Sequence, residues 1–214
     1  MAGRRISRHQ TGIGPLDRKL NGGFTAGSVV FIQSPPHVPA EKIIQSILVE
    51  NTPSRHATLL RPQQAIRQEY AEMVPVDEES PQVSEIDQAN QFAEVSAALE
   101  RTPSTDVIAF EPINELEAGD MGQYREFLRT TTQVARAEQS TVVLFGYTGA
   151  SVSETRRKTI GLADVVCLVD EQVSGQQVEY YLYVSKNRLG PQPAERMKFT
   201  LADDLSIDTS RDIA

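Results

Sequence analysis

Few side chains in this sequence have the types and spacing that do chemistry. The one cysteine, Cys167, lies within the apolar run Asp164–Val169. A thiol there reads as a small buried hydrophobe rather than a nucleophile. A single cysteine forms no disulfide framework and no cysteine-based zinc site. His9, His37 and His56 are scattered without the spacing of metal ligands. The densest basic cluster is Arg156, Arg157 and Lys158, which reads either as a local anion patch or as a solvated loop or helix face. The formal net charge of −8 opposes wholesale binding to nucleic acid, because neutralising phosphates needs a basic surface.

The 214 residues suit one sizeable domain with a sheet covered by helices, and 39% of them are hydrophobic. Apolar runs such as Val142–Phe145 and Val165–Val169 are far shorter than a membrane span. Arg4, Arg5 and Arg8 have no apolar run behind them, so no secretory signal and a cytoplasmic location are expected. Arginine outnumbers lysine in an acidic chain, a bias that suits a salt-adapted protein.

Strands are expected at Ser28–Gln33, Ala57–Leu60, Asp106–Phe110, Thr141–Phe145 and Asp164–Val169. Helices are expected from about Ala40 to Glu50, and over Gln63–Met73, Gln88–Arg101 and Met121–Glu138. The last of these turns Phe127, Leu128, Val134 and Ala135 inward. Val74–Glu85, with Pro75 and Pro81, reads as a loop. Strands without polar–apolar alternation are those of parallel sheets buried on both faces, joined by right-handed crossovers. Alternation over Gln177–Ser185, followed by Arg196–Leu201, predicts antiparallel strands at one end of the sheet.

Residues Thr11–Ile32 read TGIGPLDRKLNGGFTAGSVVFI. Leu16 and Leu20 lie four apart and share a helix face. Gly22 and Gly23 suit a helix end where φ turns positive, and Gly27 suits a tight turn into the first strand. In order and spacing this segment resembles the opening of RecA-superfamily domains of the KaiC-like group, and the resemblance runs on to the C-terminus. It implies an α/β fold of the RecA-like P-loop NTPase type, with a mainly parallel central sheet flanked by helices and C-terminal antiparallel strands. Residues 1–10 would form an N-terminal tail and residues 11–214 a single domain.

Such families follow the first strand with a loop of pattern G-x-x-x-x-G-K-[ST]. Its backbone N–H groups hold phosphates, its lysine reaches the outer phosphates and its hydroxyl binds magnesium. The equivalent window is Ser34-Pro35-Pro36-His37-Val38-Pro39-Ala40-Glu41. Ser34 and Pro39 stand at the glycine places, Ala40 at the lysine place and Glu41 at the hydroxyl place. Proline offers no N–H and cannot adopt a positive φ. Ala40 lacks the cation, and Glu41 brings a negative charge to a helix start that favours one. Lys42 follows two positions late, roughly 200° around a helix. The resemblance places Glu111 where relatives hold magnesium water; it reads equally as a solvated strand-end residue. Leu60-Arg61-Pro62-Gln63-Gln64 lacks the glutamate that relatives use as general base. Ser185-Lys186-Asn187-Arg188-Leu189-Gly190 is similar to a K-x-R motif whose lysine and arginine reach a neighbouring subunit's nucleotide. Lys186 and Arg188 also read as a guarded hairpin edge. The stretch Asp204–Ala214 is similar to small KaiC-like proteins of salt-loving archaea.

The expectation is a non-catalytic regulatory or interaction module, with no catalytic residue, no metal and no cofactor. Two alternatives stand beside it. One is an ATPase with an unconventional loop, binding ATP and magnesium through Lys42, Glu111 and in-trans Lys186 and Arg188. The other is a recombination or repair accessory factor acting on DNA. The resemblance implies a protein partner or a homo-oligomer.

Overall fold

The computed structural model describes residues 7–75, 78–103, 106–149, 153–174, 177–201 and 205–207. Along the chain run β1 (Arg8–His9), α1 (Gly14–Lys19), β2 (Phe24–Thr25), β3 (Val29–Ser34), α2 (Glu41–Glu50), β4 (Ser54–Thr58), α3 (Gln63–Met73), β5 (Gln82–Glu85), α4 (Gln91–Glu100), β6 (Val107–Glu111), α5 (Asn114–Ala118), α6 (Met121–Glu138), β7 (Thr141–Tyr147), α7 (Glu154–Leu162), β8 (Val165–Ser174), β9 (Gln177–Asn187), β10 (Met197–Leu201) and β11 (Leu205–Ile207).

Nine strands make one sheet in the order β11-β10-β9-β8-β3-β7-β6-β4-β5. From β5 across to β8 every pairing is parallel; beyond β8 the pairings are antiparallel. β3 thus lies at the centre, with β7 and β8 on its two sides. Side chains alternate between faces along each strand, and both faces are buried. Val30 and Ile32 of β3 pack with Ile43, Ile44 and Ile47 of α2 and Ile66 and Tyr70 of α3. Val29 and Phe31 pack on the opposite face with Phe127, Leu128 and Ala135 of α6 and Val95 and Leu99 of α4. Val134 of α6 is only partly buried. Two-faced burial is why these strands read as unbroken apolar runs.

Several elements differ from the sequence expectation. The second strand begins at Ser54 rather than Ala57, because its polar start is buried and satisfied. Ser54 Oγ donates to Leu48 O at 2.6 Å. The expected loop Val74–Glu85 contains β5, a short edge strand of which only Val83 is buried, too little for an alternating pattern. The helix expected over Gln88–Arg101 opens with a 3₁₀ turn at Gln88–Asn90. Helix α7 falls outside the expected set. Arg8 and His9, assigned by sequence to a tail, pair with Thr25 and Phe24, and His9 Nδ1 lies 2.8 Å from Thr141 Oγ1. Of the terminal stretch Asp204–Ala214, only residues 205–207 lie among the described ones.

The opening helix ends as expected. Gly22, Gly23 and Gly27 have φ of 102°, 104° and 83°. At Gly23 the reason is also spatial, since a Cβ there would lie 2.1 Å from His9 O. Gly161 of α7 has nothing within 4 Å of an added Cβ. Gly23→Ala should therefore cost about 2 kcal/mol or more by combining clash with backbone strain. Gly161→Ala should be neutral or stabilising by about 0.5–1 kcal/mol. Urea unfolding midpoints check both; a Gly23 variant as stable as the parent contradicts the close approach.

Candidate functional site

Open α/β sheets gather ligands at the carboxyl ends of their strands, where strand order reverses. Here β3, β4, β6 and β7 end at Ser34, Thr58, Glu111 and Tyr147. The chain leaves β3 for β4 with β6 and β7 lying between them, so this edge is the reversal point.

The loop from Ser34 into α2 folds on itself. Pro35, Pro36 and Pro39 have no N–H. Val38 N donates to Pro35 O at 3.1 Å and Ala40 N to Val38 O at 2.7 Å. Ser34 O accepts from Thr148 N at 2.7 Å, and Ser34 Oγ donates to Pro35 O at 3.2 Å. Val38 and Ala40 are buried within the core beside α2. His37 points outward and pairs with Glu171 at 2.8 Å. At the first turn of α2, Glu41 Oε1 accepts from Tyr147 Oη at 2.6 Å. Burial, and then this carboxylate, push the Tyr147 phenol above its usual range.

Beneath the loop lies an ionic network that the sequence reading did not anticipate. Glu111 is fully buried at the end of β6. Its Oε1 lies 3.0 Å from both Nε and a terminal nitrogen of Arg61. Its Oε2 lies 3.0 Å from Nε2 of His56, which is fully buried in β4. The contacts to His56 Nε2 and to the Arg61 terminal nitrogen are ion-pair contacts at hydrogen-bond distance but outside hydrogen-bond geometry. His56 Nδ1 lies 2.9 Å from Tyr70 Oη. That bond to Tyr70 orients the imidazole so that Nε2 faces the carboxylate. Arg61 reaches further to Glu69 of α3, at 2.8 and 3.0 Å, and Glu69 also accepts from Gln45 of α2. Thr58 Oγ1 fixes the turn that presents Arg61, donating to Arg61 O at 2.9 Å and accepting from Arg61 N at 3.1 Å.

Burial pushes the Glu111 carboxyl up, but His56 and then Arg61 outweigh it and hold it below the usual range. Burial also opposes the Arg61 charge, and Glu111 and Glu69 more than restore it. Tyr70 is raised well above its usual range, first by burial and then by Glu111. On the outer side of the network, its members Arg61, Glu69 and Gln45 share a cleft of about 510 Å³ with Pro39, Glu41, Lys42, Glu72 and Met73.

The structure places residues 34–42 and Glu111 at the same edge of the sheet, at the carboxyl ends of β3 and β6. Lys186 and Arg188 lie elsewhere. Lys186 pairs with Val166 near the start of β8, and Lys186 Nζ donates to Ile160 O at 2.7 Å and Gly161 O at 3.1 Å. Arg188 donates to Gly161 O at 2.7 Å and Leu162 O at 3.1 Å. Both side chains cap the carbonyl end of α7, a placement the helix dipole favours. The basic cluster divides too: Arg156 is buried and bonded to Glu117 at 2.8 Å, whereas Arg157 is exposed. Nothing in the pentapeptide Leu60-Arg61-Pro62-Gln63-Gln64 itself marks Arg61 as a partner of a distant carboxylate. The detectable signal was polar His56 inside a buried strand, beside a strand ending in Glu111. Among the described residues no cluster of three or more His, Cys, Asp or Glu side chains is set to hold a metal. No helix among them is long and apolar enough to cross a membrane. Burial pushes the Cys167 thiol up to about 12.

Residues 8–214 match the family of unknown function DUF7125. The chain belongs to that family. No curated protein matches it in sequence. Among 654 matching solved chains is a KaiC-like protein of the hyperthermophilic archaeon Pyrococcus horikoshii OT3. The two superpose with a TM-score of 0.72 over 95% of this chain and 99% of that one, at 13% identity. The family fold is thus a KaiC-like, RecA-type α/β fold; identity this low carries the fold alone.

Removing one partner of a buried ion pair strands the other charge. Arg61→Ala should cost about 3 kcal/mol or more, well beyond the effect of replacing surface-facing Glu72. Because the Glu111 carboxyl is lowered in the fold, the unfolded chain binds more protons on acidification. Its contribution is present above pH about 4.5 and is lost as pH falls below that. Urea unfolding between neutral and acid pH should show a shallower loss for Glu111→Gln than for the parent; parallel curves contradict the assignment.

Proposed function

We propose that this DUF7125 chain is a non-catalytic regulatory or interaction module. It keeps the KaiC-like body and has an eroded phosphate loop. The observation that carries the reading is the start of α2. Three of the residues from 34 to 41 are prolines without N–H, and the N–H groups of Val38 and Ala40 are bonded within the loop. A carboxylate, Glu41, stands in the first turn and is fixed there by Tyr147. Phosphate binding at a helix start needs free N–H donors and a favourable positive field; here the field already has its own anion.

The residues do not fit ATP with magnesium. The carboxylate available for a metal water shell, Glu111, has one oxygen against Arg61 and the other against His56. The cations of the late motif, Lys186 and Arg188, are engaged on α7 of their own chain. No step of a hydrolysis is derived through such a site. In this reading the protein acts in the cytoplasm through a protein partner, its nucleotide machinery replaced by internal contacts. Buried Cys167 and the acidic balance of the chain agree with that setting.

Millimolar magnesium–ATP should move the Tm by less than about 1 °C, measured at high potassium chloride. A site binding a hundredfold below the ligand concentration would add about 2.7 kcal/mol and raise Tm by several degrees. A rise of that size, abolished by Lys42→Ala, overturns the reading in favour of an ATPase with an unconventional loop.

A further inference from the structure

The face of the domain opposite α2 carries a groove that the network at the strand ends does not use. It runs between α6 and α7 and has a volume of about 430 Å³. Arg125, Leu128, Arg129 and Thr132 line it from α6, and Lys158 and Leu162 from α7. On α6 these residues recur at i, i+3, i+4 and i+7, and on α7 at i and i+4, so each helix offers one stripe. The floor is aliphatic: Leu128 and Leu162 are the upper edge of the core on this face. The rim is basic. Arg129 pairs with Glu126, and both are 58% exposed; Lys158 pairs with Glu154, which is 68% exposed. Pairs that open to solvent are weak and exchange readily for another carboxylate. Lys186 and Arg188 stand outside the lining, donating to the carbonyls of the last turn of α7, Arg188 to that of groove-lining Leu162. In a chain of net charge −8, three cationic side chains, Arg125, Arg129 and Lys158, thus line one apolar groove.

We propose that the α6–α7 groove is a docking site for a short amphipathic helix of a protein partner, with aliphatic residues on one face and carboxylates on its flanks. The inference rests on the interaction-module reading and names the partner's chemistry. The apolar floor selects against a nucleic acid. The lining has leucine and threonine where a base would need an aromatic platform, and a phosphate backbone gains nothing from burying leucine. A helix laid into a groove satisfies its own backbone, buries i and i+4 side chains and leaves its flanks to the rim. The rim charges would then govern partner choice and association rate, with the floor supplying affinity.

The test uses the full chain and a fluorescein-labelled peptide of about 14 residues, long enough for a few helical turns. Its leucines stand at i, i+4 and i+7, with glutamates between them, and binding is read by anisotropy. The expected result is binding that weakens about tenfold or more in the Arg125→Glu/Arg129→Glu double variant. It should also weaken as salt rises from about 0.05 to about 0.5 M. Thr132→Phe, which fills the groove without changing charge, should weaken it too, with thermal unfolding of both variants as a folding control. The same peptide with lysine in place of glutamate should not bind. The proposal is overturned if neither peptide binds, if both bind equally, if the groove variants bind as the parent does, or if single-stranded DNA displaces the peptide. No nucleotide enters the assay, so a magnesium–ATP shift would remove the non-catalytic reading while peptide binding still decided the groove.

Discussion

A carboxylate sealed at the end of a central strand has to be neutralised by its own fold, and the candidate site is organised around that requirement. Glu111 is fully buried at the end of β6, with Arg61 of the loop after β4 against it. Its charge is retained only because His56 comes from the neighbouring strand and Arg61 from the loop beyond it. Such a pair adds little net stability over an apolar replacement. Once formed, however, it fixes what surrounds it. Arg61 is held between Glu111 and Glu69, Glu69 ties α3 to Gln45 of α2, and Tyr70 backs the imidazole. Four elements therefore keep their spacing through one connected set of polar contacts.

The same economy of contacts appears at the start of α2. A helix that opens beneath a strand end needs its first N–H groups and its positive field satisfied. A ligand phosphate is one solution; this chain uses proline, internal turns and Glu41. The opposite edge of the sheet follows similar logic. Asp164 is buried, accepts from Val29 N at 3.0 Å and pairs with Arg136 at 2.8 Å, while Lys186 and Arg188 close the end of α7. Cationic side chains that resemble fingers for a neighbouring subunit here complete the domain that carries them.

Much of the fold could be read from patterns that depend on near neighbours. The unbroken apolar runs at β3, β6, β7 and β8 indicated a sheet buried on both faces, because no polar position was available to face water. The 3.6-residue periodicity placed α3 and α6 at their observed limits. The glycines after α1 marked backbone with positive φ. Prolines and Glu41 in the window after β3 showed which donors and charges were absent, since those properties belong to residue type alone.

Pairings between distant residues were decided by tertiary structure. β5 exists because β4 offers it an edge, not because Gln82-Val83-Ser84-Glu85 prefers a strand. Whether Glu111 met water or Arg61, whether Arg156 was a surface charge or a buried partner of Glu117, and where Lys186 and Arg188 would reach all depended on which elements became neighbours. Charge strength follows from desolvation and distance, and neither is a property of a residue's position in the chain. Residue types alone thus determined which N–H donors and charges the window after β3 carries, and only the folded arrangement determined what those groups meet.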